Sequence, residues 1–172
     1  MKKLITLTSI ILLSLYSNGQ DVWKTDKGST ISFFSKAPLE DIFAESDKFS
    51  GAINTKTNAL AVFVKVNTLE FENKLQQEHF NEKYMESDKF PLATFRGKIS
   101  QDISNITEEI EADISGEINI HGITKEMQAK AIISKPDSLT VIKCKIPIVF
   151  KDFNVDEPAI LKKSVAKDVM VK

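Results

Sequence analysis

The sequence has few of the residues that crosslink or catalyse, since it contains one cysteine, two histidines and a single arginine, Arg96. Cys144 has no second cysteine to pair with, so an internal disulfide is excluded and the fold must depend on the burial of apolar side chains. Cys144 alternates in phase with Ile142, Ile146 and Ile148, which is the pattern of a small buried residue and not of a reactive thiol.

A strong charge of either sign is also missing. The chain has 23 basic and 24 acidic residues, for a formal net charge of −1 at pH 7. Proteins that bind nucleic acid need an excess of lysine and arginine to neutralise phosphates. The composition therefore argues against a nucleic-acid partner.

Long apolar runs are absent except at the amino terminus. Two lysines precede an apolar run from Leu4 to Tyr16, and the small residues Ser17-Asn18-Gly19 follow it. This is the pattern of a secretory signal peptide, and its run is shorter than the roughly 20 residues of a membrane span. We expect residues 1–19 to be removed and residues 20–172 to form one periplasmic or secreted domain, with a retained anchor as the alternative.

Alternation of apolar and polar residues dominates the rest of the chain. From Ile110 to His121 the even positions are apolar or glycine and the odd positions are polar, which predicts a long strand with one wet face. Gly116 in its middle predicts a bend or bulge. Similar patterns lie near residues 22–26, 31–33, 47–53, 60–66, 95–99, 127–131, 142–150 and 165–171. About eight antiparallel strands favour a closed barrel over the alternative, a sandwich.

One segment, Lys74 to Met85, has the pattern of a helix. Asn73 can cap its first turn, and Pro91 disfavours helical geometry in the residue before it. Phe80 and Tyr84 are four residues apart, so they share a helix face that can pack on the barrel. We expect them to lie near the barrel mouth.

The two histidines give little support to catalysis. Neither His79 nor His121 belongs to a nucleophile motif, so we predict no catalytic residues and no cofactor. Glu78, His79 and Glu82 have the spacing of neighbouring ligands on a helix, but a second histidine at zinc-helix spacing is missing. We therefore interpret them as a solvated helix face and predict no metal site. His121 is interpreted as a turn residue that faces solvent.

Several motifs resemble the YceI-like family. They are the run from Glu78 to Pro91, Ala93-Thr94-Phe95 with Gly97-Lys98-Ile99, Gly116, the stretch from Ile118 to Lys125, and Asp152-Phe153. With the start near Ser29 to Phe33, they cover the predicted mature chain. The resemblance implies an all-β fold, an extended antiparallel eight-stranded lipocalin-like β-barrel with one short helix near its mouth. Family members usually continue past the last residues seen here, so either the final strand is short or the chain is clipped, and closure of the barrel there stays open.

The resemblance also implies a function, the non-catalytic binding of a polyisoprenoid or other long-chain amphiphile in the barrel interior for storage, transport or sensing. Each buried methylene contributes about 0.8 kcal/mol, whereas association costs about 4–15 kcal/mol, so a tail of about twenty carbons or more is favoured. Such an isoprenoid or fatty-acyl ligand implies transient membrane contact, and the resemblance implies a homodimer.

The predicted lining follows from the phase of each strand and the helix. Its members are Phe33, Phe49, Val62, Val64, Phe80, Tyr84, Phe95, Ile118, Ile120, Ile146, Ile148 and Phe150. The eleven phenylalanines of the chain make a rigid apolar set that suits a lipid cavity. The same residues also suit a solid core, so the alternative is a ligand-free envelope stress or protein-interaction module.

Overall fold

The computed structural model describes residues 21–35, 41–135 and 140–155. Its strands are β1 (Val22–Lys24), β2 (Ile31–Ser35), β3 (Ile42–Ser46), β4 (Phe49–Asn54), β5 (Ala59–Lys65), β6 (Glu70–Phe71), β7 (Leu92–Ile99), β8 (Ile110–Ile120), β9 (Ile123–Ser134) and β10 (Val141–Cys144). The helix α1 (Lys74–His79) continues into a π-helical turn, Phe80–Tyr84, and two 3-10 turns cover Val66–Thr68 and Phe150–Phe153.

The strands form two antiparallel sheets. Seven of them follow the order β1-β4-β5-β7-β8-β9-β10 in a large sheet that curls into a half-barrel, and the other three follow the order β2-β3-β6. The all-β, lipocalin-like fold class is thereby confirmed. The described residues contain ten strands where the alternation indicated about eight, because β3 and β6 are short strands that pair only within the small sheet. The predicted strand near 165–171 and the signal peptide lie outside the described residues.

The β8–β9 hairpin confirms the strongest of the predicted alternations. Its two strands pair without interruption from Ile110 opposite Ile133 to Ile120 opposite Ile123. The even residues of β8 face the core, and Ala112 and Ile114 are almost completely buried. A period of two therefore identifies the inner face of the sheet correctly along the whole strand.

Gly116 does not form the predicted bulge, since its register with both neighbouring strands is continuous. It lies directly opposite Gly97, and a Cβ atom on Gly116 would come within 2.2 Å of the carbonyl oxygen of Arg96. A Cβ atom on Gly97 would come within 2.7 Å of the Phe95 ring, which folds over it. Glycine is required here because β7 and β8 approach each other too closely for any side chain.

Two other predictions drawn from the alternation of apolar and polar residues are wrong. The strand predicted to run from Ile142 to Phe150 ends at Cys144, and Phe150 begins a 3-10 turn. Pro147 has no N–H group to donate to a neighbouring strand, which accounts for the early end of the ladder. In β2 the polar residue Ser32 is buried like its neighbour Phe33, so this strand has no wet face at that position.

The helix begins where the sequence predicts. The Asn73 side chain accepts hydrogen bonds from the backbone N–H groups of Leu75 at 2.9 Å and Gln76 at 3.3 Å. The regular α-helix ends at His79, and the following turn is wider, with the Met85 N–H donating to the carbonyl of Phe80 at 2.8 Å. Among the described residues no helix has the length and hydropathy of a membrane span.

Candidate functional site

The concave face of the large sheet is apolar. Strand register places Val62, Phe95 and Ile118 side by side across β5, β7 and β8. Phe95 and Ile118 are buried, and Val62 is half-buried against them. The inner face therefore presents a continuous apolar wall in the centre of the half-barrel.

An aromatic cluster covers this wall. Phe33 of β2 lies 5.6 Å from Phe80 and 5.8 Å from Phe150, measured between ring centroids, and Phe71 of β6 lies 4.9 Å from Phe80. The ring pairs are tilted, which is a favourable arrangement for aromatic side chains. The cluster joins the small sheet, the helical segment and the 3-10 turn at Phe150–Phe153 to a single core.

Most residues of the predicted lining meet in this core. All of them belong to one hydrophobic cluster or pack against it, except Phe49 and Val64. These two oppose each other directly across β4 and β5, and Val64 is buried, but neither is part of the cluster. The structure thus brings the predicted residues together, and their contact with a ligand stays a prediction.

Several core residues were missed by the sequence analysis. Trp23 and Ile53 are direct neighbours across β1 and β4; Ile53 is part of the core, Trp23 packs against it, and Ile53 has the alternation phase of the predicted lining residue Phe49. Ile103 and Ile106 lie between β7 and β8, outside any strand, and Ile103 is fully buried. No periodic signal marks them, because they belong to a loop.

Two surface cavities lie away from the predicted lining. One, of about 640 Å³, has the backbone of Gly97 and Gly116 as part of its wall, together with charged residues such as Lys98 and Glu117. The other, of about 400 Å³, lies along the helix beside Glu78 and Glu82. In the described ranges no three metal-ligating side chains come together.

His121 does not face solvent as predicted, because its side chain is only 10% exposed. With φ angles of 51° at His121 and 76° at Gly122, the turn departs from strand geometry, so strand alternation no longer sets the direction of the imidazole. The ring lies 4.3 Å from the ring of Phe90. Nδ1 is 3.1 Å from the carbonyl oxygen of Phe153, and Nε2 is 3.3 Å from a carboxylate oxygen of Glu86.

Two titratable groups near the core have shifted pKa values. A hydrogen bond from Lys89 holds the pKa of Glu86 below its ordinary value, and the positive charge of Lys89 and the contact with His121 act in the same direction. Burial raises the pKa of the Cys144 thiol. Cys144 is half-buried against the core, as expected for a small apolar residue, and the raised pKa disfavours its thiolate.

Solved structures share this fold at low sequence identity. The polyisoprenoid binding domain from Saccharophagus degradans, implicated in plant cell wall breakdown, has a TM-score of 0.71 at 14% identity, over 88% of this chain and 94% of that chain. BcnA from Burkholderia cenocepacia has a TM-score of 0.69 at 17% identity, over 83% and 91%. The YceI protein of Campylobacter jejuni has a TM-score of 0.60 at 16% identity, over 80% and 86%.

No curated protein sequence matches the chain. The family model of the YceI-like domain matches residues 23–172, which is most of the chain. The chain therefore belongs to the YceI-like family.

Proposed function

We propose that this protein binds a long-chain apolar lipid, of the polyisoprenoid or fatty-acyl kind, in its core and catalyses no covalent reaction. The observation that carries the proposal is the apolar inner wall of the half-barrel, covered by a cluster of phenylalanines from four separate segments. Aromatic and aliphatic side chains bind an apolar tail by burying it, and the rigid phenyl rings lose little conformational freedom in doing so. A polyisoprenoid binding domain among the structural neighbours supports this ligand class.

Entry of a tail requires the aromatic cluster to open, since its rings are in contact. The helical segment is the element best suited to move. Phe80 and Tyr84 are its contacts with the core, whereas α1 itself has no buried residue. A π-helical turn connects α1 to the following loop, and such turns often occur at functional sites. We therefore assign the segment Lys74–Tyr84 the role of a lid over the core.

The proposal includes the location of the protein and its partners. The apolar leader at residues 4–16 supports export to the periplasm or the outside of the cell. A lipid must be taken from a membrane, so transient membrane contact belongs to the function as well. A homodimer is proposed from family resemblance alone.

The second candidate function is a ligand-free interaction or stress module. The close packing of the phenylalanine rings favours it, because a solid core needs no ligand for stability. Under this alternative the protein acts through its surface, and Phe43, which is 49% exposed on β3, belongs to that surface.

Native mass spectrometry separates the two candidates. Protein lacking residues 1–19 is purified without detergent and measured before and after extraction with organic solvent. Lipid binding predicts an excess mass that extraction removes and that added polyprenol restores. An unchanged mass in both samples, with no uptake of polyprenol, would favour the solid-core module.

A pair of variants tests the location of the site. Tyr84→Asp places a charge against the core and is expected to weaken polyprenol uptake at least about tenfold, since an unpaired charge in an apolar site is costly. Phe43→Asp makes the same chemical change at an exposed position and serves as the control. Equal uptake by Tyr84→Asp and Phe43→Asp, both folded by circular dichroism, would place the lipid elsewhere.

A further inference from the structure

His121 connects three segments that are far apart in the sequence. It occupies the turn between β8 and β9, its Nδ1 contacts the carbonyl of Phe153, and its Nε2 faces Glu86 in the turn after the helix. The ring is packed on Phe90 and is largely removed from solvent. The turn with Glu86 follows directly after Tyr84, the last residue of the proposed lid.

Both nitrogens of the ring face oxygen atoms that accept hydrogen bonds. A peptide carbonyl can only accept, so Nδ1 must carry a hydrogen. The carboxylate of Glu86 also only accepts when it is ionised. In a neutral ring Nε2 would then present its own lone pair to this carboxylate, whereas an imidazolium presents an N–H and a positive charge. An imidazolium therefore presents an N–H group to each of the two oxygen atoms, whereas a neutral ring presents one to the Phe153 carbonyl alone.

The contact between Nε2 and Glu86 depends on charge more than on a directed hydrogen bond. The two atoms are 3.3 Å apart, but Nε2 is buried and has no well-aligned hydrogen-bond partner in the described part of the chain. Attraction between imidazolium and carboxylate acts at this distance without ideal alignment. When the imidazolium loses its proton from Nε2, this attraction is lost. Nε2 is then a buried acceptor that faces the Glu86 carboxylate, which is also an acceptor, and this arrangement is unfavourable.

We propose that His121 and Glu86 form a proton-operated latch that holds the lid closed over the lipid site. With His121 protonated, the latch ties the β8–β9 turn to the segment Met85–Phe90 and so fixes the end of the helix. With His121 neutral, the hydrogen bond to Phe153 remains, the link to Glu86 is lost, and the lid opens more often. The inference rests on the proposed lipid binding and adds its regulation by pH.

Other charged groups lie on the segments that pack against the ring. Lys89 pairs with Glu86 and keeps its carboxylate ionised. The remaining charged residues of these segments are exposed, and they are Asp88, Lys151 and Asp152. Glu86 is therefore the charged group in contact with the imidazole.

The latch has two limits in pH. Glu86 has a lowered pKa, so its contribution is present above the ordinary carboxyl range and is lost as pH falls through the lowered value. The contribution of the imidazolium is present while the ring carries its second proton and is lost with that proton, and imidazoles in general change charge between about pH 5 and 8. The latch is consequently closed in weakly acidic solution and released in weakly alkaline solution.

Lipid release measures the latch directly. Protein loaded with a fluorescent polyprenol is mixed with acceptor vesicles at about pH 5.5 and about pH 8, on either side of the ordinary imidazole titration. Release from the unmodified protein is expected to be about tenfold slower at the lower pH. This factor corresponds to the one charge-assisted contact that holds the lid at the lower pH and is lost at the higher pH. His121→Asn, which tolerates a positive φ angle and cannot take up a proton, is expected to release quickly at both pH values. Glu86→Gln is expected to lose the pH dependence as well.

The second histidine of the chain supplies a matched control. His79 is the only other imidazole, so His79→Asn must retain the full pH dependence if the latch is responsible. Retention of the pH dependence by His121→Asn, or its loss in His79→Asn, would overturn the latch. So would equal release from the unmodified protein at both pH values.

Hydrogen exchange on lipid-free protein tests the latch independently of the proposed function. The amides of Lys89 and Phe90 donate to the carbonyl of Glu86 at 2.8 and 2.9 Å and so report on this turn. Their protection, corrected for intrinsic exchange, is expected to fall about tenfold from weakly acidic to weakly alkaline pH in the unmodified protein and to stay constant in His121→Asn. If no lipid binds at any pH, the proposed function fails while this measurement still decides the latch. Constant protection in the unmodified protein overturns the latch.

Discussion

Close backbone approach at the Gly97–Gly116 pair leaves no room for a side chain at either position. Each Cβ would meet a backbone oxygen of the neighbouring strand at 2.2 Å, far inside normal contact. Backbone atoms of paired strands cannot move apart without loss of ladder hydrogen bonds. The sequence interpretation placed a bulge at Gly116 because a glycine within a strand has several common causes, and only the neighbouring strand shows which one applies.

Gly116→Ala is therefore expected to destabilise the protein by about 1–3 kcal/mol, which is the usual cost of forcing an extra methyl group into a packed site. Chemical denaturation monitored by circular dichroism measures this change. Ser115→Ala, at the adjacent exposed position of β8, is the control and is expected to change stability by less than about 0.5 kcal/mol. Equal stabilities for Gly116→Ala and Ser115→Ala would mean that the two strands separate easily.

Backbone conformation also explains why the sequence did not indicate the environment of His121. The φ angles of 41° at Glu86 and 51° at His121 lie in the left-handed region, where periodicity arguments do not apply. Their side chains turn toward each other across two turns that are more than thirty residues apart. Tertiary pairing of this kind has no local pattern, and the interpretation of His121 as a solvent-facing residue was wrong for that reason.

Among the elements, the helical segment has a well-defined first turn but few side chains that contact the core. Asn73 satisfies two backbone N–H groups at its first turn, and none of the residues of α1 is buried. The core is contacted through Phe80 and Tyr84 in the π-helical turn. Stability of the lid thus depends on its cap and on two aromatic side chains.

Asn73→Ala is expected to cost the helix about 1 kcal/mol, as is usual for loss of an N-cap side chain. The effect is local, because α1 contributes no buried residue, so hydrogen exchange at the amide of Gln77, which donates to the Asn73 carbonyl, measures it. Asn73→Asp keeps an acceptor oxygen at the same position and is the control. Unchanged protection in Asn73→Ala would show that packing of Phe80 alone holds the helix.

Prediction from the sequence succeeded for the long amphipathic elements and missed two of the short strands. The β8–β9 hairpin and the helix each contain enough periodic positions to define a face, and both were located correctly. Strands β3 and β6 were not, since β6 has two residues and pairs with β3 at two positions. The strand predicted to continue beyond Cys144 ends there. Pro147 has no N–H group to donate to a neighbouring strand, and this effect outweighs the alternation around it.

At the scale of the whole molecule, a half-barrel and a small sheet enclose one apolar core. Phe33 and Phe71 bring the small sheet to the same cluster that Phe95 and Ile118 reach from the large one. Separate segments therefore meet at the proposed site, and a chain with a single cysteine cannot join them by an internal disulfide. Such an arrangement can admit a tail by small displacements of several elements.

If the lipid binds inside this core as proposed, the stability of the protein depends on the length of the lipid. Each additional buried methylene contributes about 0.8 kcal/mol, so alcohols of about ten, about twenty and about fifty carbons should stabilise the protein increasingly until the core is filled. A ligand at about a hundred times its dissociation constant adds about 2.7 kcal/mol, which for a domain of this size raises the melting temperature by about 5–10 °C.

Differential scanning fluorimetry with this series of alcohols measures the effect, and Tyr84→Asp serves as the control that should respond less. A stabilisation that rises with chain length and then levels off would give the capacity of the site. No stabilisation by any member of the series would contradict lipid binding, because a ligand that binds only the folded protein must raise its stability.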